Sequence, residues 1–570
     1  MALLAGIVPL ALHSWAALHG SLAQDDFLIT YRAAAGGPVD LPYLFQDYQG
    51  HLAPGAFLFA WLVTALAPLN FAVMTVPMLL VQAGASVLFW GVLVRCFGRR
   101  WAILVPFTVV TASTLLLVPT VWWAFGIEIL PVLLATAGAL YAHVGYLRDG
   151  RRRQLIGTVA WTVGGFAFYE KAAFIPILLL GVTVLLGGSW RRHREVWICQ
   201  GALLVVYAIG YLFLTNSQVG HGTGTVSVAT VAELFRRMVV DTFLPGLIGG
   251  PWSGPGPGAT WVSPPAEVRA VLVFFTLAVL AAGVRAGGAR AWRAWALLGV
   301  AVVIDVGLVA ATRLTEVGPA LGNDPRYVAD LTLIAALCGA FAFLKPVLLS
   351  PGEEPPPLRR ERPVALVLTA ALVLSSAVGF HQLAPALRFD HSRQFIANAR
   401  AAVAADPDLV LYDDFVPADI VHPWFADNSR ASRVVGLVPG MRINEPTNRM
   451  SRLDDSGKPH RITGIDPAAS SLPGPLRDCG YPVEDTLVRI PLDKGLFGHY
   501  LLRLDYYTAA GGEGVVDRDG YRTPVWFQAG LHSMYLPIDG LFDKVGIQLA
   551  GKGAPVCVPR LQIGAPVTEP

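Results

Sequence analysis

Charged side chains are scarce in this chain. Asp, Glu, Lys and Arg make up 15% of its 570 residues, whereas hydrophobic residues make up 54%. A soluble chain would carry about 25% charged residues. The mean hydropathy is +0.53, and the apolar residues come in blocks long enough to cross a bilayer, which takes roughly 20 residues each. The composition predicts an integral membrane protein, and the small net charge of +3 gives no reason to expect a nucleic-acid partner.

Lysine and cysteine are also rare. Only six of the 43 basic residues are Lys, and this Arg excess, together with much Ala, Gly and Val, fits a GC-rich bacterial genome. Of the five cysteines, Cys96, Cys199 and Cys338 lie in or beside apolar segments, where they are expected to behave as small hydrophobes. Cys479 and Cys557 lie in the less apolar last third of the chain. The sequence leaves two alternatives equally open: Cys479 and Cys557 either form a disulfide or are free thiols. The disulfide would require that this part of the chain lies outside the cytoplasm.

Three motif classes are missing from the sequence. It contains no Cys/His spacing typical of a metal site, no glycine-rich loop for a nucleotide phosphate, and no Ser/His/Asp arrangement. These absences argue against a nucleotide-sugar donor and against ATP-driven transport.

Eleven apolar segments predict eleven membrane crossings. They are 3–20, 72–94, 101–118, 127–147, 154–169, 172–188, 196–214, 267–284, 294–311, 327–344 and 363–382. A further apolar stretch, 54–69, is short and has proline at both ends, so we interpret it as a helix lying at the outer interface. Ser21-Leu22-Ala23 resembles a signal-peptidase site, but the segment before it lacks a basic beginning, which favours an uncleaved first helix.

The basic residues predict the orientation in the plasma membrane. Seventeen of them fall in the segments assigned to the inside and seven in the outer segments before the C-terminal third, as the positive-inside bias requires. The N-terminus is therefore expected in the cytoplasm and the C-terminal domain outside it. The Pro/Glu-rich segment 350–363 is interpreted as an inner linker. His221, in a glycine-rich outer segment, is interpreted as part of a plain linker or of a loop that closes over a lipid donor.

The chain is predicted to form three domains. Residues 1–384 form a transmembrane domain, 385–484 an extracytoplasmic mixed α/β segment, and 485–570 a β-sandwich, because short alternating strands separated by Gly, Asp and Pro follow one another from 485 onwards. The sandwich is a candidate carbohydrate-binding domain. Five aromatic residues can stack on sugars, although aromatic residues of a sandwich usually belong to its core: Trp424, Tyr506, Tyr507, Trp526 and Tyr535.

The first predicted outer loop is the most informative segment. Two adjacent carboxylates, Asp25 and Asp26, directly follow the first apolar segment, and a helix-like stretch with Tyr31 and Arg32 comes next. His51 stands just before the interfacial segment. Carboxylates at the membrane face are costly unless they are paired or hydrated. The acidic pair is therefore either a helix cap in a solvated loop or part of a functional site.

This combination resembles a known superfamily. A membrane segment, an acidic pair, a Tyr-Arg pair, an interfacial helix opening with His and Pro, and a C-terminal β-domain are similar to the GT-C glycosyltransferases, which use polyprenyl-phosphate sugars. Among them are protein O-mannosyltransferases, oligosaccharyltransferase catalytic subunits and mycobacterial arabinofuranosyltransferases. The resemblance covers nearly the whole chain. It implies inverting transfer of a sugar from a polyprenyl-phosphate donor to a cell-envelope glycan or related acceptor at the outer membrane surface.

The resemblance implies a general base in the acidic pair. An acceptor hydroxyl must lose its proton as it attacks the sugar carbon, and a positioned Asp can accept that proton, a role worth roughly 10²–10⁴-fold in rate. By the family pattern the base is the first acid, Asp25. The spacing from Asp26 to Tyr31-Arg32 is similar to that in oligosaccharyltransferases, where the Asp contacts a divalent metal, so both assignments stay open. With an ordinary pKa of about 3.9, either Asp would be ionised at pH 7 and a weak base.

Cations are expected beside the leaving phosphate. The outer-face candidates are Lys171, Arg313 and Arg326, the last of which forms with Tyr327 an Arg-Tyr pair similar to one in GT-C enzymes. The alternative for Lys171 is a local ion pair with Glu170. For Arg326 it is extension of the side chain to the membrane interface.

Several other polar residues complete the set. Tyr31, Arg32 and His51 are candidate substrate contacts. Glu128, at the outer end of the fourth crossing, is either a second acid that contacts substrate or a helix-start residue in an aromatic belt. Asp305 lies inside the ninth crossing and is expected to pair within the helical bundle, because an unpaired charge there is costly.

Two other functions compete with glycosyl transfer. A transporter or flippase of lipid-linked saccharides would need polar residues deep in many crossings, whereas only Asp305 is clearly deep in this sequence. A non-catalytic scaffold of envelope assembly would keep its function after Asp25→Ala and Asp26→Ala.

Overall fold

The chain divides into two compact units, Met1–Asp390 and His391–Pro570. In a computed structural model, residues 2–215, 227–255, 263–347, 361–518 and 520–569 are described. The first unit is helical, and the second is built around a β-sheet. His221 and most of the predicted linker 350–363 lie outside the described residues.

The first unit contains eighteen α-helices among the described residues. They are α1 Ala2–Leu18, α2 Asp25–Ala35, α3 Leu41–Leu44, α4 Pro54–Leu66, α5 Phe71–Phe97, α6 Leu104–Ala112, α7 Leu117–Val121, α8 Trp123–Asp149, α9 Arg152–Phe168, α10 Phe174–Leu185, α11 Arg194–Leu214, α12 Val228–Phe235, α13 Leu244–Leu247, α14 Ala266–Gly287, α15 Ala289–Thr312, α16 Leu314–Val317, α17 Leu331–Phe343 and α18 Glu361–Leu387. Each of the eleven apolar segments predicted to cross the membrane contains an α-helix.

Seven helical runs in the described part of the chain are long and apolar enough to cross a bilayer, which makes the protein polytopic. They lie at Phe71–Phe97, Trp101–Val121, Trp123–Asp149, Trp190–Leu214, Ala266–Gly287, Ala289–Thr312 and Glu361–Ala405. Helix α4 has only 13 residues and is therefore about 20 Å long, shorter than a hydrocarbon core of about 30 Å. Its length fits the predicted interfacial position.

The predicted crossing 101–118 is broken in the middle. Ser113 leaves the helical conformation, with φ −63° and ψ 127°, between α6 and the 3₁₀ turn Thr114–Leu116. Its hydroxyl donates to the carbonyl of Gly246 at 2.9 Å. The apolar sequence gives no sign of this break, because the partner of Ser113 lies 133 residues away. Beyond the break, α7 leads directly to Trp122.

The long segment between α11 and α14, which the sequence predicts to lie outside, carries α12, a π-helix at Arg236–Phe243, and α13. From the sequence, Arg236 and Arg237 are expected on a surface helix, in contact with lipid headgroups. The helix is confirmed, but both side chains bind within the protein: each pairs with Glu233 at 2.7 Å. Arg237 also donates to the side chain of Asn323 at 2.7 Å. The segment thereby supports the stretch that carries Arg326.

The second unit begins with α19, Asp390–Ala405, and later contains the short α20, Ala431–Val434. Its ten strands form one sheet in the order β2-β1-β3-β4-β10-β6-β9-β7-β8, with β5 paired to β10. The strands are β1 Val410–Leu411, β2 Arg442–Ile443, β3 Met450–Leu453, β4 Pro459–Ser470, β5 Tyr481–Val483, β6 Val488–Thr508, β7 Gly512–Arg518, β8 Tyr521–Phe527, β9 Gly530–Leu549 and β10 Val556–Thr568. Strands on both sides of the predicted boundary at 484/485 share this sheet.

A disulfide joins Cys479 to Cys557 across 78 positions of sequence. It ties the segment before β5 to β10, the strand that also pairs with β4 and β6. Of the two alternatives left open by the sequence, the structure has the bridge. The sheet core buries Tyr506 completely and Tyr535 almost completely, as expected for aromatic residues of a core, whereas Trp424, Tyr507 and Trp526 are exposed.

Candidate active site

The candidate site is assembled from four separate parts of the first unit. They are the first turn of α2, the beginning of α8, the 3₁₀ turn Pro325–Tyr327, and the 3₁₀ turn Glu170–Ala173 together with the loop that precedes α4. Each part is a helix terminus or a turn beside one. Such positions leave backbone N–H groups without helical partners, and acidic side chains at a helix start can satisfy them.

Asp26 is the structural member of the acidic pair. It is completely buried. Its Oδ2 accepts the backbone N–H of Ala23 at 2.9 Å, and its Oδ1 accepts that of Ala124 at 2.7 Å. Ala124 lies in the first turn of α8, so a carboxylate from loop one satisfies an unpaired N–H group at the start of that helix. Asp26 thus connects α2 to α8.

Asp25 is held differently. It is only partly buried, and the indole N–H of Trp122 donates to its Oδ1 at 2.9 Å. Burial raises the pKa of the Asp25 carboxyl above its ordinary value, while Arg326 and the Trp122 hydrogen bond act in the opposite direction. The expectation of an ordinary pKa is therefore wrong for Asp25. A raised pKa makes its carboxylate a stronger base at neutral pH.

Arg326 is fixed beside this carboxylate. Its guanidinium lies 5.0 Å from the ring centroids of both Trp122 and Tyr327. Its Nε is 3.1 Å from Oδ2 of the buried Asp324, whose Oδ1 accepts the Arg326 backbone N–H at 3.0 Å. The two terminal nitrogens donate no hydrogen bond to the described residues, and the side chain is 28% exposed. Arg326 therefore has donors available for an anionic ligand.

A second group of charges surrounds His51. Its Nδ1 is 2.8 Å from Glu170 Oε1, and Nη2 of Arg313 lies 3.4 Å from its Nε2 while donating to the Gln49 carbonyl at 2.7 Å. Burial lowers the pKa of His51, but the nearby carboxylates Glu170 and Glu128 raise it by more, so the net effect is a pKa raised to about 9. His51 is therefore a cation at neutral pH. Its charge also lowers the pKa of Asp25, so the two groups share one electrostatic environment.

Lys171 is part of a closed ion cluster. Its Nζ lies 2.6 Å from Asp305 and 2.9 Å from Asp330, and it donates to the carbonyl of Tyr327 at 3.0 Å. All three side chains are less than 10% exposed. The pairing of Asp305 within the bundle is confirmed. The alternative prediction of a local ion pair between Glu170 and Lys171 is wrong, because Glu170 pairs with His51 instead. Because carboxylates of the protein neutralise Lys171, this residue is a weaker candidate than Arg326 for binding the donor phosphate.

The other predicted contacts occupy the edge of the site. Arg32 donates to Gln46 at 3.0 Å and lies 5.4 Å from the ring centroid of Tyr48. Tyr31 is a partly exposed residue of α2. Glu128 is buried in α8, close enough to His51 for its charge to raise the pKa of that imidazole.

Sequence reasoning missed Trp122 and Tyr48. Trp122 touches both Asp25 and Arg326, yet in the sequence it is one of several aromatic residues near a helix end. Tyr48 is 4% exposed, and its hydroxyl has no hydrogen-bond partner among the described residues. Burial raises its pKa, and Asp25 and Glu128 raise it further, so its phenol stays neutral beside them. The only sequence signal for Tyr48 was its position three residues before His51.

The described residues contain no group of three or more His, Cys, Asp or Glu side chains suited to a metal ion. Asp26, the predicted metal contact, uses both carboxylate oxygens to accept backbone N–H groups. The side chains present therefore do not fit a metal site at Asp26.

No family model and no curated protein matches the chain. Solved structures do. ArnT from Cupriavidus metallidurans bound to undecaprenyl phosphate matches with 12% identity over 80% of this chain and 93% of that one, at a TM-score of 0.45. The arabinofuranosyltransferase AftD from mycobacteria matches with 13% identity over 100% of this chain and 60% of that one, at a TM-score of 0.40. At such identities and TM-scores, the matches describe a similar fold and carry no argument about the reaction.

Proposed function

We propose that the protein is an inverting membrane glycosyltransferase that moves a sugar from a polyprenyl-phosphate donor to a cell-envelope glycan or related acceptor. The observation that supports this most is the pairing of two groups of opposite charge around Trp122. Asp25 is a carboxylate of raised pKa, held by the indole N–H. Arg326 is a cation packed against the same ring, and its terminal nitrogens are available to donate hydrogen bonds to a ligand. A base beside a phosphate-binding cation is what this transfer requires.

The proposed reaction follows from the roles of these two side chains. The acceptor hydroxyl gives its proton to the Asp25 carboxylate as its oxygen forms a bond to the anomeric carbon of the donor. On the opposite side of that carbon, the bond to the phosphate oxygen breaks, and the oxygen leaves with the electron pair. Arg326 donates hydrogen bonds to the polyprenyl phosphate as its negative charge grows. Displacement from the opposite side inverts the configuration of the sugar.

Six nearby side chains are proposed to shape the site around this step. Trp122 orients one oxygen of Asp25 and leaves the other to receive the proton. The His51 cation and Arg313 increase the positive charge available to the phosphate. Glu128, Tyr31 and Arg32 are proposed to contact the sugar or the acceptor. We assign Asp25 as the base and Asp26 as a structural residue, because Asp26 already accepts two backbone hydrogen bonds.

The proposed location is the outer face of the plasma membrane. The disulfide between Cys479 and Cys557 supports an extracytoplasmic second unit, because such bonds persist in oxidising compartments. The distribution of basic residues along the sequence supports the same orientation.

The test is transfer by the purified full chain from a panel of polyprenyl-phosphate sugars to a panel of glycan acceptors. Asp25→Asn keeps the shape of the side chain and removes the base. We expect it to lower turnover roughly 10²–10⁴-fold while the thermal unfolding temperature stays unchanged. Product anomers, read by NMR, should have the configuration opposite to that of the donor.

Asp26→Asn is the matched control. Its amide NH₂ would face a backbone N–H that now donates to a carboxylate oxygen, so we expect a loss of about 1–3 kcal/mol in unfolding free energy and a smaller loss of turnover per folded molecule. Undiminished turnover in Asp25→Asn would refute the assignment of the base. Lack of transfer from every polyprenyl-phosphate donor would favour the scaffold or flippase alternatives.

A further inference from the structure

The second unit contains a cleft that the proposed reaction does not use. Its volume is about 370 Å³, within the range of small-molecule sites, roughly 300–1,000 Å³. The walls come from the loop after β1, from the 3₁₀ segment Pro423–Ser429, and from β6, which contributes His499. All of these elements belong to the same compact unit.

The polar groups of the cleft are arranged in balanced pairs. Arg430 is 3.0 Å from Asp427 and donates to the carbonyl of Asp413 at 2.9 Å. Asp414 is 2.5 Å from Arg452. His499, on the opposite wall, pairs with Asp539. Because Arg430 and Arg452 each face a carboxylate, the cleft presents both hydrogen-bond donors and acceptors without an excess of positive charge. This lining suits a neutral polar ligand better than a phosphate or another anion.

An exposed aromatic ring stands in the same cleft. Phe415 is 54% exposed, and the guanidinium of Arg430 lies 4.4 Å from its ring centroid. A ring of this kind offers a flat apolar surface beside fixed donors and acceptors. A pyranose or furanose has the matching features, because its C–H face is apolar and its edge carries hydroxyl groups that both donate and accept.

The backbone at the cleft is held in an unfavourable conformation. Ala426, one of the lining residues, has φ 48° and ψ −126°. A residue with a Cβ rarely adopts a positive φ. Such conformations persist where surrounding structure enforces them, and they cluster at ligand sites. Here the bend interrupts the 3₁₀ segment immediately before Asp427, which contributes a carboxylate to the cleft.

We infer that this cleft binds a neutral saccharide, with Phe415 under the apolar face of a sugar ring and with Asp427 and Arg430 bonded to its hydroxyl groups. If the proposed function holds, this saccharide is a stretch of the acceptor glycan. Binding itself does not depend on that reaction, so the two proposals can be tested separately.

The test is ligand-observed saturation-transfer NMR on the full chain in nanodiscs. The probes are short neutral oligosaccharides of arabinose, mannose and glucose, with an oligogalacturonate of equal length as an anionic comparison. We expect at least one neutral probe to bind more tightly than the anionic one. Phe415→Ala and Asp427→Ala should each raise its Kd at least fivefold. Both side chains are exposed, at 54% and 69%, so the fold should tolerate the changes.

Tyr521→Ala is the matched control, because Tyr521 is a 77% exposed aromatic residue of the same unit that does not line the cleft. The Tyr521→Ala variant should bind the neutral probe with the same Kd as the wild type. Asp25→Asn should also bind the probe normally, which separates this proposal from the catalytic one. Failure of all neutral probes to bind would overturn the inference. So would an unchanged Kd in both cleft variants, with folding verified by thermal unfolding.

Discussion

Two charged clusters in the helical unit use the same kinds of side chain in different ways. In the closed cluster, Lys171 is surrounded by Asp305, Asp330 and a carbonyl, and every side chain is less than 10% exposed. In the open cluster, Asp25 and Arg326 lie on either side of Trp122 without a direct ion pair between them in the structure, and Arg326 is 28% exposed. In the closed cluster, carboxylates of the protein itself neutralise the cation. The open cluster has charges that a ligand can balance.

The difference shows why formal charge alone is a poor guide to a site. Lys171, Arg313 and Arg326 are equivalent candidates in the sequence, since all three are basic residues expected near the outer membrane face. Only the partners differ. A buried ion is costly unless it is paired, so the bundle uses Lys171 to neutralise acids within it. Arg326 is held by aromatic rings and by Asp324, which orient its guanidinium and leave the terminal nitrogens available.

The largest effect on stability is expected in the closed cluster. Lys171→Ala would leave two buried carboxylates without their cation, and breaking a buried ion pair in this way costs about 3–5 kcal/mol. We expect a lower unfolding temperature in detergent and a lower yield of folded protein. The double variant Lys171→Met/Asp305→Leu removes one charge of each sign and should recover part of the loss, because only Asp330 then lacks its cation. If Lys171→Ala folded normally and lost only donor binding, the distinction between the clusters would be wrong.

The next effect concerns the open cluster and should appear in the rate. Arg326→Gln removes the cation proposed to stabilise the leaving phosphate, and loss of one such donor typically lowers turnover about 10²–10³-fold. The unfolding temperature should fall as well, because the buried Asp324 loses its cation, so turnover is compared per folded molecule. Arg326→Lys should restore part of the rate, because it keeps the charge without the planar donor geometry.

Arg313→Gln is the matched comparison for Arg326. The guanidinium of Arg313 already donates to the Gln49 carbonyl, so we expect a smaller loss of turnover from this variant. Equal losses in the two variants would show that the phosphate is not centred on Arg326.

The smallest effect is a dependence on pH. Asp25 must be ionised to act as a base, and because its pKa is raised, activity should fall on acidification at a pH above the ordinary range of Asp. The pKa of His51 is raised to about 9, so its positive charge is present at neutral pH and is lost as the pH rises through about 9. We expect activity to decline there, and His51→Gln to remove this alkaline limb from the pH–rate profile.

The raised pKa of His51 also predicts how the stability of the protein depends on pH. The folded pKa of His51 lies above the unfolded value of about 6.5, so its contribution is fully present below that pH and disappears as the pH rises through about 9. Unfolding temperatures of wild type and His51→Gln should therefore differ most in acid and converge at alkaline pH. A constant difference across that range would argue against a charged His51 in the folded protein.

Much of this protein follows from local sequence. Blocks of apolar residues determine that the first unit is helical and membrane-embedded, because the free energy of transfer to lipid depends on the composition of each segment. Alternation of side chains and turn residues likewise predicted strands after residue 485, whereas β2 to β5 lie before it and were not predicted this way. The acidic pair and the Arg-Tyr pair were visible as candidates for the same reason, since each is a contiguous motif.

The tertiary structure determined which of those candidate side chains has a charge that is available to a ligand. Asp26 caps a helix that begins almost a hundred positions later, and Trp122 reaches Asp25 over a similar separation. Lys171 meets Asp305 in α15 and Asp330 just before α17, both far along the chain. The break at Ser113 also depends on a distant carbonyl. Composition determines that a segment enters the membrane, but the balance of each buried charge depends on distances between helices, and these arise only when the bundle packs.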